Sequence, residues 1–247
     1  MDDFTSSTYG DRIADVYDEL YAEVPFSGDV SRTVTFLCDL AGDGPMLELG
    51  IGTGRVALPL REAGVDVAGI DASPAMVHKL RAKPGGGEIP VTIGDFASFD
   101  VGRRFRAIYV VFNTFFGLLT QEAQVSCFDS IANHLERGGV FVIEAFVPDL
   151  SRFDRGQRVS AIDVGVDGVR LEVSTHDGLE QRTTSQHLFI GEDGVRLFPV
   201  SIRYTTIAEL DLMARLAGMR VRERWGDWDR SPLSASSPKH VSVYELA

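Results

Sequence analysis

Glu48-Leu49-Gly50-Ile51-Gly52-Thr53-Gly54 places three glycines at i, i+2 and i+4, directly after a short apolar run. A loop that takes the phosphates of a dinucleotide spaces its glycines at i, i+2 and i+5, and position 55 here is Arg55. The denser spacing suits close backbone approach to a compact zwitterion without phosphate. Glu48 beside such a loop would repel a phosphate and tolerate an ammonium or sulfonium. Asp71 closes the next apolar run, where a carboxylate can accept both hydroxyls of a ribose. Gly94-Asp95-Phe96 closes the run after that. Asp95 can accept from the exocyclic amine of an adenine, and Phe96 offers a backbone N–H and an apolar flank. Met76, one turn into the helix after Asp71, can lie on an adenine face. Each piece has a plainer reading as a tight turn, a helix-flanking acid or a core methionine. Their order along the chain is what is specific.

These residues need elements to position them. Met46–Leu49, Asp66–Ile70, Val91–Ile93, Ala107–Val111 and Val140–Ile143 read as five strands. Residues 56–63, 74–83 and 121–135 read as helices between them. Ser73 and Thr120 are N-caps, Pro74 sits at a first helical position, and Gly64 and Gly138-Gly139 are stops. Strands alternating with helices predict right-handed βαβ units and a parallel sheet. The acids and glycines all fall at carboxyl ends of strands, where open α/β sheets bind ligands. Ahead of them, residues 6–21 and 30–41 carry apolar residues at helical spacing, an N-terminal helical cap over 1–41.

From 158 to 205 the rhythm becomes that of four strands, with Asp167-Gly168 and Asp193-Gly194 as hairpin signals. This predicts an antiparallel insertion, either a substrate lid or a dimer interface. Thr205 or Thr206 caps a helix over 207–217. Arg220–Arg224 and His240–Leu246 are closing strands, and the loop from Trp225 to Lys239 reads as mobile. The expected fold is α/β: a Rossmann-like, seven-stranded, mostly parallel sheet with flanking helices and an antiparallel β insertion after strand five. It forms one domain over 1–247.

Composition narrows the function. With 24 Lys+Arg against 36 Asp+Glu the net charge is −12, which opposes a general affinity for nucleic acid. Hydrophobic residues at 44% over 247 positions suffice for a sizeable core. Cys38 and Cys127 read as small buried residues of a reducing compartment. The five histidines show no metal-ligand spacing, so no metal is expected. The acidic N-terminus is no secretory signal, and no run of 18 apolar residues occurs. A soluble, cytoplasmic protein without membrane contact is expected.

Glu48–Gly54, Gly69-Ile70-Asp71-Ala72-Ser73-Pro74-Ala75-Met76 and Gly94-Asp95-Phe96 resemble the class I S-adenosylmethionine-dependent methyltransferases, strongly over about residues 9–147 and more loosely beyond. The resemblance implies that Gly50, Gly52 and Gly54 pack on the methionine moiety, Asp71 holds the ribose and Asp95 meets the adenine. Tyr9, Glu48, Ala72, Met76, Phe96 and Phe112 complete the expected site for S-adenosyl-L-methionine, with S-adenosyl-L-homocysteine as product. Tyr9–Asp18, Gly102–Phe105, Asn113-Thr114-Phe115-Phe116 and Ile207–Gly218 further resemble natural-product methyltransferases. One branch acts on macrolide amino-sugars at nitrogen, another on the N-terminal amine of a ribosomal peptide antibiotic. A His follows strand four in the sugar branch; Gly117 stands there here, so that base is not carried over.

Methyl transfer to an amine of a small molecule or short peptide is the leading expectation, driven by proximity. Tyr17 and Asn113 are the candidate catalytic residues. Tyr21, Phe116, Glu144 and Arg203 are candidates for the acceptor site. His176 and His187, in the insertion, read as structural. A natural-product O-methyltransferase and a non-catalytic cofactor-binding regulatory subunit are the rival readings. A nicotinamide oxidoreductase is disfavoured by the glycine spacing, and a nucleic-acid methyltransferase by the charge. A homodimer is a further possibility.

Overall fold

The computed structural model describes residues 4–22, 30–192 and 194–247. In chain order the first half holds α1 (Thr8–Ile13), α2 (Tyr17–Ala22), α3 (Val30–Ala41), β1 (Met46–Leu49), α4 (Ala57–Glu62), β2 (Val67–Asp71), α5 (Pro74–Arg81), β3 (Val91–Ile93), β4 (Phe105–Val110) and α6 (Gln121–His134). The second half holds β5 (Leu135–Phe146), β6 (Gln157–Val164), β7 (Gly168–Asp177), β8 (Arg182–Gly191), β9 (Gly194–Arg203), α7 (Ile207–Leu216), β10 (Met219–Trp225) and β11 (Lys239–Leu246).

All four residues of β1 are buried, and all but Glu48 are apolar, as befits a central strand covered on both faces. The main sheet runs β10-β11-β5-β4-β1-β2-β3. Its β5-β4-β1-β2-β3 part is parallel, and β11 and β10 join it antiparallel. This is the seven-stranded, mostly parallel architecture that the alternating pattern predicts. The strand order reverses between β1 and β4, which opens a crevice at their carboxyl ends.

Alternate side chains feed two cores. Leu47, Leu49, Ile108 and Phe141 pack under α6 and α7 with Phe128, Ile131, Leu210 and Met213. Met46, Ala107, Tyr109 and Val142 pack under α3, α4 and α5 with Phe36, Leu37, Leu60 and Leu80. Each large apolar side chain so buried contributes roughly 1.5–3 kcal/mol. Ser73 and Thr120 cap as expected, accepting from the Met76 and Ala123 amides, and Thr206 rather than Thr205 caps α7.

Three expectations give way. The single helix over 6–21 is two, α1 and α2, so that Ile13 and Ala14 meet Phe198 while Tyr17 and Tyr21 turn toward the crevice. Gly138-Gly139 does not stop α6. That helix ends at His134, and the glycines lie inside β5, where its register against β4 shifts. A Cβ on Gly139 would sit 3.0 Å from the Phe105 carbonyl oxygen, a tight contact that favours glycine at the irregularity. The Trp225–Lys239 loop is pinned: Trp228 is buried edge-on against Phe36, and Arg230 binds Asp39.

The strands β6 to β9 form a separate antiparallel meander. It joins the main body through Phe198, which shares a cluster with Ile13, Ala14, Leu20 and Met76. Of the expected 1–41 cap, residues 1–3 and 23–29 lie outside the described residues, as does Asp193 of the second hairpin signal.

Candidate active site

The turn after β1 requires glycine by conformation. Gly50, Gly52 and Gly54 all have positive φ (72°, 55° and 81°). A Cβ on Gly50 would lie 2.3 Å from Thr114 Cγ2, and one on Gly54 2.3 Å from Leu80 Cδ1. At Gly52 the nearest atom would be Met76 Cε at 3.6 Å, so this position leaves the backbone open.

Asp71 is aimed by that turn. Its Oδ2 accepts from the Gly52 amide at 2.6 Å and its Oδ1 from the Ser73 amide at 2.8 Å. Burial raises its pKa, and the two amide bonds pull it back. Asp95 Oδ1 accepts from the Ala97 amide at 2.8 Å. Both acids face one cavity of about 470 Å³, a size suited to small-molecule ligands. Gly50, Gly52, Ala72, Met76, Phe96 and Phe112 line it as well.

The N-terminal helices roof this cavity. Tyr9, Tyr17 and Tyr21 line it, with the Tyr9 and Tyr21 hydroxyls 2.8 Å apart and the Tyr17 and Tyr21 rings 4.6 Å apart between centroids. Burial is the main reason all three phenols titrate above their ordinary value, so they stay protonated at neutral pH. Polar clasps hold the roof down. Ser73 Oγ donates to Asp11 at 2.6 Å, Thr53 Oγ1 to Asp18 at 2.6 Å, and Lys83 pairs with Asp18 at 2.6 Å.

Beyond β4, Phe112 and Asn113 take positive φ (55° and 64°). Non-glycine residues hold that conformation only when their surroundings compel it. The Phe112 amide donates to Glu144 Oε2 at 3.0 Å, and Asn113 Oδ1 accepts from the Phe146 amide at 2.7 Å. Asn113 thus lines the cavity while tying the β4 and β5 ends together.

Five expected site residues lie outside the cavity lining. Glu48 sits behind the loop, where Tyr109 donates to it at 3.0 Å. Burial above all, and secondarily Asp71, push its pKa to about 8. It holds its proton at neutral pH and is not the negative charge the sequence reading places beside a cationic ligand. Gly54 packs against Leu80 and Leu58. Phe116 is core, edge-on to Phe146. Glu144 is engaged by the Phe112 amide and by Lys239 at 2.9 Å. Arg203 donates to Gln124, Gln181 and Glu209, so its charge is consumed in tying β9 to α6 and α7.

The insertion, expected as a substrate lid or a dimer interface, supplies a fourth wall through residues not singled out for the site by their sequence. Glu172, Thr183, Ser185, His187 and Tyr204 of the insertion line the cavity. The available signal was the alternation of polar Glu172, Ser174 and His176 with apolar Leu171 and Val173, which also describes a strand half-exposed to water. In all, Asp71, Asp95, Asp149 and Glu172 oppose Arg152 around the lining, an environment that favours cationic ligands.

Residues 46–139 match the methyltransferase domain family. A cypemycin N-terminal methyltransferase from a Streptomyces species is 30% identical over 201 residues, covering 81% of this chain and 82% of that protein. The chain belongs to the class I S-adenosylmethionine-dependent methyltransferases. This methyltransferase is 42% identical to the CcbJ methyltransferase from Streptomyces caelestis, whose structure covers 99% of this chain and 100% of its own at a TM-score of 0.92. A dTDP-4-amino-2,3,4,6-tetradeoxy-D-glucose N,N-dimethyltransferase from Saccharopolyspora spinosa is 30% identical over 203 residues, covering 78% of this chain and 79% of that one. The methyl donor of the family is S-adenosyl-L-methionine. The donor set here fits it, with an open backbone at Gly52 and a carboxylate fixed at Asp71. This is a methyltransferase of the natural-product type, and no helix among its described residues is long and apolar enough to cross a membrane.

Proposed function

We propose that this methyltransferase transfers a methyl group to an amine of a small molecule or short peptide bound in the cavity at the carboxyl ends of β1 to β4. The observation that carries this reading is the shared cavity. It brings Asp71 and the glycine turn together with the tyrosine roof, Asn113 and an acidic wall of the insertion. The named activities of the cypemycin and dTDP-amino-sugar relatives, both at nitrogen, support it.

When bound, S-adenosyl-L-methionine supplies a methyl already activated by its sulfonium. The chain's own residues have to bind, orient and exclude water. In this reading Asp71 accepts from the ribose hydroxyls, Asp95 from the adenine amine, and Met76 and Phe96 flank the ring. Gly50 and Gly52 admit the methionine portion, and Gly54 acts indirectly by closing the turn. Tyr9, Ala72 and Phe112 complete the enclosure. Tyr17 and Tyr21, as neutral phenols, and Asn113 orient the acceptor, while α1 and α2 keep water out. The insertion at 158–205 serves as acceptor wall on its inner face. Its outer face, where Val159 (70% exposed), Val195 (59%) and Leu197 (49%) stand out, takes a second copy of the chain.

Asp71→Ala tests the site. Losing two charge-assisted bonds to the ligand predicts S-adenosyl-L-homocysteine binding weaker by about 100-fold in calorimetry, with folding retained. Unchanged affinity would place the cofactor elsewhere.

A further inference from the structure

On β7 and β8 the insertion's inner face is polar where it meets the cavity, while β9 adds Phe198 and Val200 to the same face. Register sets Glu172 opposite His187 and Ser174 opposite Ser185 on β7 and β8. Pleating puts all four on one face. Glu172, Ser185 and His187 line the cavity that Asp71, Tyr17 and Asn113 share, and Ser174 and Ser185 are buried. The opposite face of the meander carries Val173 of β7 and Val195 and Leu197 of β9, all exposed. Buried polar groups cost stability unless they are hydrogen-bonded, so any polar atom on this face without a protein partner is a place for a ligand.

The carboxylate is also held in place. Ser174 Oγ donates to Glu172 Oε1 at 2.7 Å and Ser185 Oγ at 3.3 Å, with the two hydroxyls 2.9 Å apart. Glu172 Oε2 has no hydrogen-bond partner among the described residues. A fixed carboxylate with an uncommitted oxygen beside an imidazole matches a cationic nitrogen carrying N–H donors.

We propose that Glu172 and His187 form the amine-receiving wall of the acceptor site: Glu172 holds the acceptor's ammonium and His187 takes its proton. This rests on the amine reading above. An N–H bond of the ammonium breaks, its electron pair stays on nitrogen as the attacking lone pair, and the proton moves to the free ring nitrogen of His187. His187 releases that proton to solvent after the methylated ammonium has left. Burial lowers the pKa of His187 and Glu172 raises it in part, so the ring is able to accept a proton. The other groups around it are the Tyr9, Tyr17, Tyr21 and Tyr204 phenols, Asp71, Asp95, Asp149 and Arg152 across the cavity, and Arg170 and Arg196 over the Phe189 ring further along β8.

The test uses amino sugars and short peptides bearing a free amine as acceptors, with Glu172→Gln and His187→Gln compared with wild type on whichever of these the wild type methylates. Calorimetry in the presence of S-adenosyl-L-homocysteine reads acceptor binding without turnover. Glu172→Gln should raise both the acceptor Kd and KM about 10-fold or more, with Tm and S-adenosyl-L-homocysteine affinity unchanged. His187→Gln should hold KM and lower kcat about 10- to 100-fold near neutral pH, a deficit that closes as the pH passes the acceptor's own pKa. Amine methylation with both variants within about two-fold of wild type would overturn the proposal and leave the amine reading standing. Loss of Tm and of S-adenosyl-L-homocysteine binding in Glu172→Gln would make the cluster a folding element and overturn it too. Methylation by the wild type at oxygen alone would remove the amine reading, and the proposal with it.

Discussion

Glu48 shows how far one side chain's surroundings can reverse its reading. Its folded pKa of about 8 stands above the ordinary 4.5. Between those values the folded chain holds a proton that the unfolded chain has released, so stability is full below the lower pKa and is lost as pH rises toward the upper one. Glu48→Gln keeps a neutral side chain of the same shape at every pH. Its Tm should therefore gain on wild type between about pH 5 and pH 8. Parallel Tm curves would mean that Glu48 is ionised in the folded protein. Position next to the glycine turn made Glu48 look like a ligand group, but a strand buried on both faces sends that side chain to Tyr109. Gly50, Gly52, Asp71 and Asp95 were legible because backbone geometry and strand ends constrain their types. Glu172 and His187 were not, because polar alternation is the same whether a strand faces water or a cavity.

At the scale of elements, the turn between β1 and α4 carries the site. Gly50→Ala forces a side chain into φ 72° and against Thr114 Cγ2. The cost should be about 1–3 kcal/mol, read as a fall in denaturation midpoint with weaker S-adenosyl-L-homocysteine binding. A variant as stable as wild type would show that the turn tolerates a Cβ. The strands and helices of the parallel half follow from apolar runs, caps and stops that are local signals. The break between α1 and α2 does not, because the partners that reward it, Phe198 and Met76, are far away in the chain. Gly138-Gly139 carry the same ambiguity: the chemistry that stops a helix also shapes an irregular strand start, and pairing with β4 decides.

Across the whole molecule, the second sheet faces the carboxyl ends of the first across a cavity and leaves exposed apolar side chains on its outer face. A homodimer through that face is expected in sedimentation velocity at micromolar concentration, and Leu197→Glu should yield monomers. A wild-type monomer would contradict it. The net charge of −12 is consistent with the acidic lining, though Glu48 adds nothing to it at neutral pH. The proposed reaction is methyl transfer to nitrogen within this cavity. The most direct measurement is fragmentation mass spectrometry on amino sugars and short peptides, with free and acetylated amines, incubated with protein and methyl-labelled S-adenosyl-L-methionine. Label should appear on the free amine nitrogen and not on the acetylated partner. Label on oxygen or carbon, or equal labelling of acetylated and free acceptors, would contradict that reaction.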